Sequence, residues 1–224
     1  MTFSIVARCA ESGQFGVAIS SSSPAVAARC SFARAGIGAV ATQNVTHPLL
    51  GPAVLDLMAK GENAETAGSE AIKAENFPDY RQLLVVGSKG PGFIHSGAQA
   101  LGTWSAASGN DCVSGGNLLA DTGVPDAIVA GFEATGGALG DRLVASLVAG
   151  LAAGGEAGPV HSAGLLIVDR QAWPYAELRC DWTDDCPISA IASAWEIYKP
   201  QAEDYVTRAL NPTAAPSYGV PGDE

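Results

Sequence analysis

The chain has 224 residues, of which 47% are hydrophobic, and its formal net charge is −11. This length and apolar content suffice for one buried core, so a single domain is predicted. The 12 basic residues form no run that could neutralise phosphates. We therefore expect neither a nucleic acid nor an anionic membrane surface as a partner. The sequence shows no run of about twenty apolar residues, which is the length that a helix needs to cross a bilayer.

The amino terminus lacks a basic segment followed by an apolar core, so it does not resemble a signal peptide and we expect a cytoplasmic protein. The five cysteines are widely spaced and form no CxxC motif. That pattern indicates buried thiols rather than a disulfide framework or a zinc ribbon. The acidic residues do not follow the spacing of a calcium loop, and neither a metal nor a cofactor is expected.

Three short runs in the first fifty residues predict strands, because they are rich in β-branched residues: TFSIVAR, FGVAISS and IGAVATQN. The first strand begins at Thr2, directly after Met1. If Met1 were removed, the Thr2 hydroxyl and a free α-amine would belong to one residue. The amine, with a pKa of about 7.7 to 8.0, could take the hydroxyl proton as the oxygen attacks a carbonyl. A threonine that only begins a strand is the alternative.

The segment between the second and third strands carries four serines before a proline, which favours a turn. Ser22 in this turn could also contact a substrate. Arg34 could hold a carboxylate in a bidentate fork, although a solvated surface arginine is the more common interpretation. At the end of the third strand, Gln43 and Asn44 could donate amide hydrogens to an oxyanion.

His47 follows in the next loop and could act as an acid or a base. The only carboxylate near it in the sequence is Asp56, so the sequence indicates a loop histidine. Helices are then predicted over 51–60 and 64–75, where they would cover one outer face of a sheet. A glycine-rich turn between two apolar runs predicts a β-hairpin over 83–94.

The segment VSGGNLLAD contains the second group of candidate site residues. Gly115 and Gly116 permit close approach of the backbone, and Asn117 follows at once. Asn117 could donate to an oxyanion through its side chain or through the local N–H groups. A bulge with Asn in a left-handed turn is equally compatible with the pattern.

The second half of the chain predicts two core helices from Pro125 and from Leu139, then an apolar strand over 163–168. His161 and Ser162 at the entry of this strand are candidates for substrate contact. A last strand over 175–180 and an amphipathic helix over 187–198 follow. We expect one domain over 1–210 and a flexible tail over 211–224, since the tail is rich in Pro and Gly. The small and apolar residues of the core helices favour a homodimer.

Six segments together resemble the bacterial family called domain of unknown function 1028: TFSIVAR, GQFGVAISS, ARAGIGAVATQN, GGNLLA, FEATGG and SAGLLIV. The resemblance covers about residues 2–198 and implies membership of the N-terminal nucleophile (Ntn) hydrolase superfamily. It therefore implies an α+β fold, a four-layer αββα sandwich of two mostly antiparallel sheets. The chain departs from the family at Cys9, where Asp is common, and at 158–161, where basic residues and a Gln are usual.

The favoured hypothesis is a hydrolase of a small amide or peptide-like bond. Thr2 would be the nucleophile, its amine the base, and Asn117 or the Gln43–Asn44 pair the oxyanion donors. The alternative is a small-ligand-binding or assembly module that keeps the Ntn fold without turnover. An enzyme that works through Ser22 would not require the removal of Met1.

Overall fold

The computed structural model describes residues 2–220. Ten strands form two sheets: Thr2–Arg8 (β1), Phe15–Ser21 (β2), Ser31–Arg34 (β3), Gly38–Asn44 (β4), Arg81–Gly87 (β5), Phe93–Ser96 (β6), Ser105–Gly109 (β7), Cys112–Asn117 (β8), Ser162–Val168 (β9) and Ala176–Cys180 (β10). The α-helices of the described range are Ala27–Cys30 (α1), Leu50–Ala59 (α2), Ala64–Ala74 (α3), Val124–Ala134 (α4), Leu139–Ala152 (α5), Pro187–Tyr198 (α6) and Ala202–Leu210 (α7).

The six-stranded sheet has the order β10-β9-β2-β1-β8-β7, and the four-stranded sheet has the order β3-β4-β5-β6. All these neighbours pair antiparallel. The sheets face each other across an apolar layer that includes Val6 and Val17 from the first sheet and Ala41, Leu84 and Val86 from the second. Side chains alternate along a strand, so β1 directs Val6 to this layer and its neighbours to the opposite face.

Helices cover both outer faces. Phe3 and Ile5 of β1 pack with residues of α4, α5 and α6, among them Phe132, Leu143 and Trp195. On the other side, α2 and α3 pack on β4 and β5. The structure therefore confirms the four-layer αββα sandwich and the predicted position of the two helices after the third strand.

Every strand and helix predicted from the sequence is present, but five elements were missed: α1, β3, β7, β8 and α7. The segment SFAR of β3 and the segment SAASG of β7 contain no β-branched residue, and β3 follows the single turn of α1. These two strands lie at sheet edges, where pairing with one neighbour supplies the order that the residues themselves do not predict. The segment CVSGGN of β8 contains two adjacent glycines, which weaken the strand signal, and pairing with β1 and β7 supplies its order. The helix α7 follows a 3-10 turn at Lys199–Gln201.

The described part of the expected tail folds back on α7. The Arg208 guanidinium lies 3.9 Å from the centre of the Tyr218 ring and donates to the carbonyls of Pro216 and Ser217. Residues 221–224 lie outside the described range. The division into a domain over 1–210 and a flexible tail stays a prediction.

Helix α6 packs closely on α5 at Gly140. Trp195 is only 2% exposed, and its indole N–H donates to the Asp141 carboxylate at 2.8 Å. A Cβ atom built on Gly140 would overlap the indole ring. The close approach of the two helices therefore requires glycine at this position.

Gly140→Ala is expected to lower the free energy of unfolding by about 1–3 kcal/mol, since the ring must leave its packed position. The matched control is Gly136→Ala, because a Cβ there meets no atom within 4 Å. Urea denaturation of the two variants measures the difference. Equal stability of the two would show that the helices have room for a methyl group.

Candidate active site

Four polar side chains form a row across one end of the six-stranded sheet. Thr2 pairs with Asn117, Ser21 pairs with Ser162, and Thr2 Oγ1 lies 3.4 Å from Ser21 Oγ. Thr2 is 6% exposed and the other three side chains are fully buried. Because side chains alternate along β1, Thr2 shares the inner face of the sandwich with Ser4. The expectation that concerns Met1 lies outside the described residues.

A buried hydrogen-bond network connects the two sheets beneath this row. Ser4 Oγ donates to Gln43 Oε1 at 2.7 Å. Gln43 Nε2 donates to Gln82 Oε1 at 2.7 Å and to the Gly115 carbonyl at 3.1 Å. Gln82 Nε2 donates to the Gly116 carbonyl at 3.2 Å. Ser4, Gln43 and Gln82 are fully buried, so the network holds the two sheets in one arrangement at this end.

The network also determines how the Asn117 amide is oriented. A backbone carbonyl only accepts hydrogen bonds, so the contacts with Gly115 and Gly116 require the nitrogen ends of Gln43 and Gln82. Gln82 Oε1 is then an acceptor, and Asn117 Nδ2 donates to it at 3.2 Å. Asn117 Oδ1 is buried and has no hydrogen-bond partner in the described part of the chain.

The side chains expected as oxyanion donors are therefore engaged. The amide nitrogens of Gln43 and Asn117 donate within the network, and Asn44 Nδ2 donates to the Tyr80 carbonyl at 2.7 Å. Asn44 Oδ1 accepts the N–H of Leu101, which ties the end of β4 to the segment before β7. Gln43 thus supports the site through the network between the sheets, and Asn44 supports it through the segment before β7.

The N–H groups after Asn117 are engaged as well. Leu118 N donates to the Leu101 carbonyl at 2.9 Å, and Leu119 N donates to the Thr103 carbonyl at 2.8 Å. The expectation that local N–H groups stabilise an oxyanion has no support from these two positions.

Glu156 is a buried carboxyl group near the row that the sequence analysis missed. It is 4% exposed, forms an isolated bridge with Leu119, and accepts the Ser22 N–H at 3.1 and 3.2 Å. Burial raises the pKa of Glu156 to about 7, although the positive charge of the amino terminus and the Ser22 hydrogen bond act in the opposite direction. The sequence signal was one charged residue within the small-residue segment GGEAG.

The turn after β2 is fixed by residues that the sequence analysis selected. Ser162 Oγ donates to the Ser23 carbonyl at 2.6 Å and accepts the Val26 N–H at 3.2 Å. His161 N donates to the Ser21 carbonyl at 2.9 Å. The structure therefore brings His161 and Ser162, together with Ser22 in this turn, to the end of the sheet that carries Thr2.

The His161 ring has a defined orientation. It stacks on Trp182 with ring centres 4.3 Å apart, and its Nδ1 lies 2.8 Å from the Thr183 carbonyl. Since this carbonyl can only accept, Nδ1 carries the hydrogen. Trp182 is 54% exposed, so the stacked pair forms an aromatic surface beside the row.

The model of the family of unknown function DUF1028 matches residues 2–191. The chain belongs to the DUF1028 family. The crystal structure of protein SPO2555 from Silicibacter pomeroyi, which carries the same family model, is similar at a TM-score of 0.84 and 26% identity, covering 91% of this chain and 89% of that one. None of the curated proteins compared matches the chain.

Two Anbu structures are similar at lower scores. A Gly-1 mutant from Hyphomicrobium sp. strain MC1 has a TM-score of 0.41 and 14% identity, covering 91% of this chain and 97% of that one. Anbu from Yersinia bercovieri, described as an ancestral beta-subunit, has a TM-score of 0.41 and 10% identity, covering 91% and 96%. Similarity at this level does not extend any property of those proteins to this DUF1028 chain.

Arg34 and Cys9 lie at the other end of the DUF1028 sandwich. Arg34 pairs with Gly38, and its guanidinium donates to Asp56 at 2.8 Å on the surface. Cys9 follows the last residue of β1, about 23 Å along the strand from Thr2 at 3.3 Å per residue. The structure therefore does not bring Arg34 to the row, and Cys9 is too distant to tune an amine at Thr2.

Three residues that flank the row have left-handed backbone conformations without being glycine. These are Ala25, Asn44 and Leu118, with φ of 52°, 73° and 51°. Leu118 directly follows Asn117, and Asn44 directly follows Gln43. Such conformations cost about 1–3 kcal/mol each and cluster at functional sites. The backbone around the row is thus held in place by its surroundings.

A cavity of about 500 Å³ lies apart from the row, between α2 and α3, and its lining includes His47, Leu50, Leu57 and Glu75. The orienting partner of His47 is Glu75, at 2.5 Å, and the expectation of a histidine without a nearby carboxylate other than Asp56 was wrong. The two residues are distant in sequence. Burial alone would raise the pKa of Glu75, but hydrogen bonds from His47 and Arg81 help to lower it to about 2.

Residues 2–220 contain no group of three or more His, Cys, Asp or Glu side chains placed to hold a metal ion. Within the same range, none of the helices has both the length and the apolar character that crossing a bilayer requires.

Proposed function

We propose that this DUF1028 protein hydrolyses a small amide or peptide-like bond, with Thr2 as the nucleophile once Met1 has been removed. One observation carries the proposal. Thr2 is the first residue of β1, and its hydroxyl lies on the inner face of the sandwich within a row of buried polar side chains. A nucleophile held on a strand in this way is kept in one position.

The proposed reaction uses two groups of a Thr2 residue that begins the chain: its hydroxyl and its α-amine. The α-amine takes the proton as Oγ bonds to the substrate carbonyl carbon, and the same proton then goes to the leaving nitrogen as the C–N bond breaks. Water hydrolyses the resulting ester and restores Thr2. No other residue has to supply a base.

Glu156 supports this proposal through its charge. A carboxyl group with a pKa of about 7 changes its protonation state near the pH at which an amine base must work. An ionised Glu156 favours the protonated amine, whereas a neutral Glu156 does not. Glu156 binds the N–H of Ser22, which directly follows the Ser21 that contacts Thr2, and from this position we assign it the role of a positioning residue toward the amine.

The second candidate function is the binding of a small ligand without turnover. It is favoured by the cavity between α2 and α3, which is mostly apolar and contains the His47–Glu75 pair. Its volume is in the range usual for small-molecule sites. Under this alternative, the row at Thr2 would have only a structural role.

Two proteins that differ only at the amino terminus test the proposal. One begins at Thr2, produced from a fusion whose protease leaves no preceding residue, and the other keeps Met1 with a short extension. We expect a β-lactone to modify the peptide that contains Thr2 in the first protein and not in the second, because only the first carries a free amine on Thr2. Peptide mapping by mass spectrometry measures both and separates this adduct from adducts at thiols.

Equal labelling of the two proteins would remove the terminal-amine mechanism. Absence of labelling in both would favour the binding function. The expected homodimer stays a prediction that light scattering of the untagged protein checks.

A further inference from the structure

We infer that Asn117 selects the substrate of the proposed hydrolase by accepting a hydrogen bond from an N–H group at the scissile bond. The site would then take amides and discriminate against esters of the same acyl group. The inference rests on the proposed function and goes beyond it, because it assigns Asn117 the role of an acceptor toward the substrate.

The direction of the hydrogen bond follows from the network. If the Asn117 amide were reversed, its oxygen would face Gln82 Oε1, and two acceptors would lie 3.2 Å apart. Gln82 itself cannot reverse, because its nitrogen donates to the Gly116 carbonyl. The two sheets together therefore fix Asn117 Oδ1 as an acceptor without a donor, while Asn117 Nδ2 uses one of its two hydrogens for Gln82.

Within the described residues, Asn117 Oδ1 is buried and accepts no hydrogen bond, and Asn117 as a whole is fully buried. A buried acceptor without a donor is unfavourable, and native proteins rarely keep one without a reason. A ligand that donates an N–H removes this penalty, whereas an ester oxygen, which has no hydrogen to donate, adds a repulsion between acceptors.

Asn117 is also in the right place relative to the nucleophile. Thr2 and Asn117 are direct cross-strand partners on the inner face, and the Cβ atoms of such partners are about 4.5–5.5 Å apart. A carbonyl attacked by Thr2 Oγ carries its leaving N–H one bond away. In the proposed complex, that N–H is placed beside the Asn117 side chain.

The test uses two small electrophiles that differ in one ring atom: a β-lactam with an unsubstituted ring nitrogen and a β-lactone with the same substituents. Each is opened by the Thr2 hydroxyl without loss of any atom. Labelling rates are measured by intact mass for the protein that begins at Thr2. The variants are Asn117→Leu, which has no acceptor, and Asn117→Gln, which keeps an amide oxygen together with an amide N–H for Gln82 Oε1.

Asn117→Leu is expected to lower the ratio of β-lactam to β-lactone rates about 10- to 100-fold, because only the lactam loses a hydrogen bond. Asn117→Gln should keep the ratio within about threefold of the parent protein. A purely structural role of Asn117 would lower both rates together, and an unchanged ratio in Asn117→Leu overturns the inference.

A second measurement needs no variant, in case Asn117→Leu does not fold. Propionamide should protect the parent protein against the β-lactone at a lower concentration than methyl propionate does. Equal protection overturns the inference while the proposed function stands. If neither electrophile labels the protein that begins at Thr2, the proposed function fails and the inference with it.

Discussion

Thr2→Ala is expected to abolish β-lactone labelling of the protein that begins at residue 2, with a rate loss on the order of 10³-fold or more. The variant keeps the terminal amine and removes the attacking oxygen together with the γ-methyl group. Thr2→Ser is the matched control, since it keeps the hydroxyl, and its rate should stay within about tenfold. Because the substitution leaves the backbone pairing of β1 with β8 in place, the free energy of unfolding should change by only about 1 kcal/mol or less.

Peptide mapping of the adduct must accompany this experiment. Hydrogen bonds with Ser12 and Ser189 lower the pKa values of Cys9 and Cys186 against the effect of burial, so these two thiols can react with the same probe. An adduct that persists in Thr2→Ala and maps to the first peptide would contradict the proposed nucleophile.

Glu156→Gln is expected to change how stability depends on pH. The folded-state pKa of Glu156 is raised to about 7, above the unfolded value, so the folded state keeps a proton that the unfolded state has released. The free energy of unfolding of the parent protein should therefore fall as pH rises from about 4.5 to 7, by about 1–3 kcal/mol. The glutamine variant should lose this slope and be the more stable protein at pH 8.

Glu62→Gln, at an exposed position, is the control and should keep the parent slope. Glu75 does not interfere, because its lowered pKa makes a contribution that is present at neutral pH and is lost only as pH falls from about 4.5 toward 2. Urea denaturation at several pH values measures all three proteins. Parallel curves for the parent and Glu156→Gln would show that the carboxyl does not titrate in this window.

The sequence predicted most of the strands and helices because their runs carry strong local signals. Along β1, for example, successive residues face two different layers. Pro125 begins a helix that ends before two glycines. The edge strands β3 and β7 have no such signal and depend on their neighbours. A resemblance to a known family supplied the arrangement of the layers, which local patterns alone do not determine.

The site was predictable only in part, since its chemistry depends on long-range contacts. The sequence selected Thr2 at the start of the first predicted strand and Asn117 after its glycines, and the structure makes them cross-strand partners. The sequence does not show that Gln82 fixes the Asn117 amide from the opposite sheet, or that Glu156 meets the Ser22 N–H. Each of these contacts joins segments more than thirty residues apart, so no local spacing could reveal it.

The location of Cys9 offers a practical means of observing the protein at work. Its thiol is partly exposed, has a lowered pKa and lies beyond the end of β1 that is remote from Thr2. Burial raises the pKa values of Cys30, Cys112 and Cys180, which favours selective attachment of a fluorophore or spin label at Cys9 once Cys186 is replaced by serine. Such a label needs no engineered cysteine and leaves the row of polar side chains at Thr2 unobstructed.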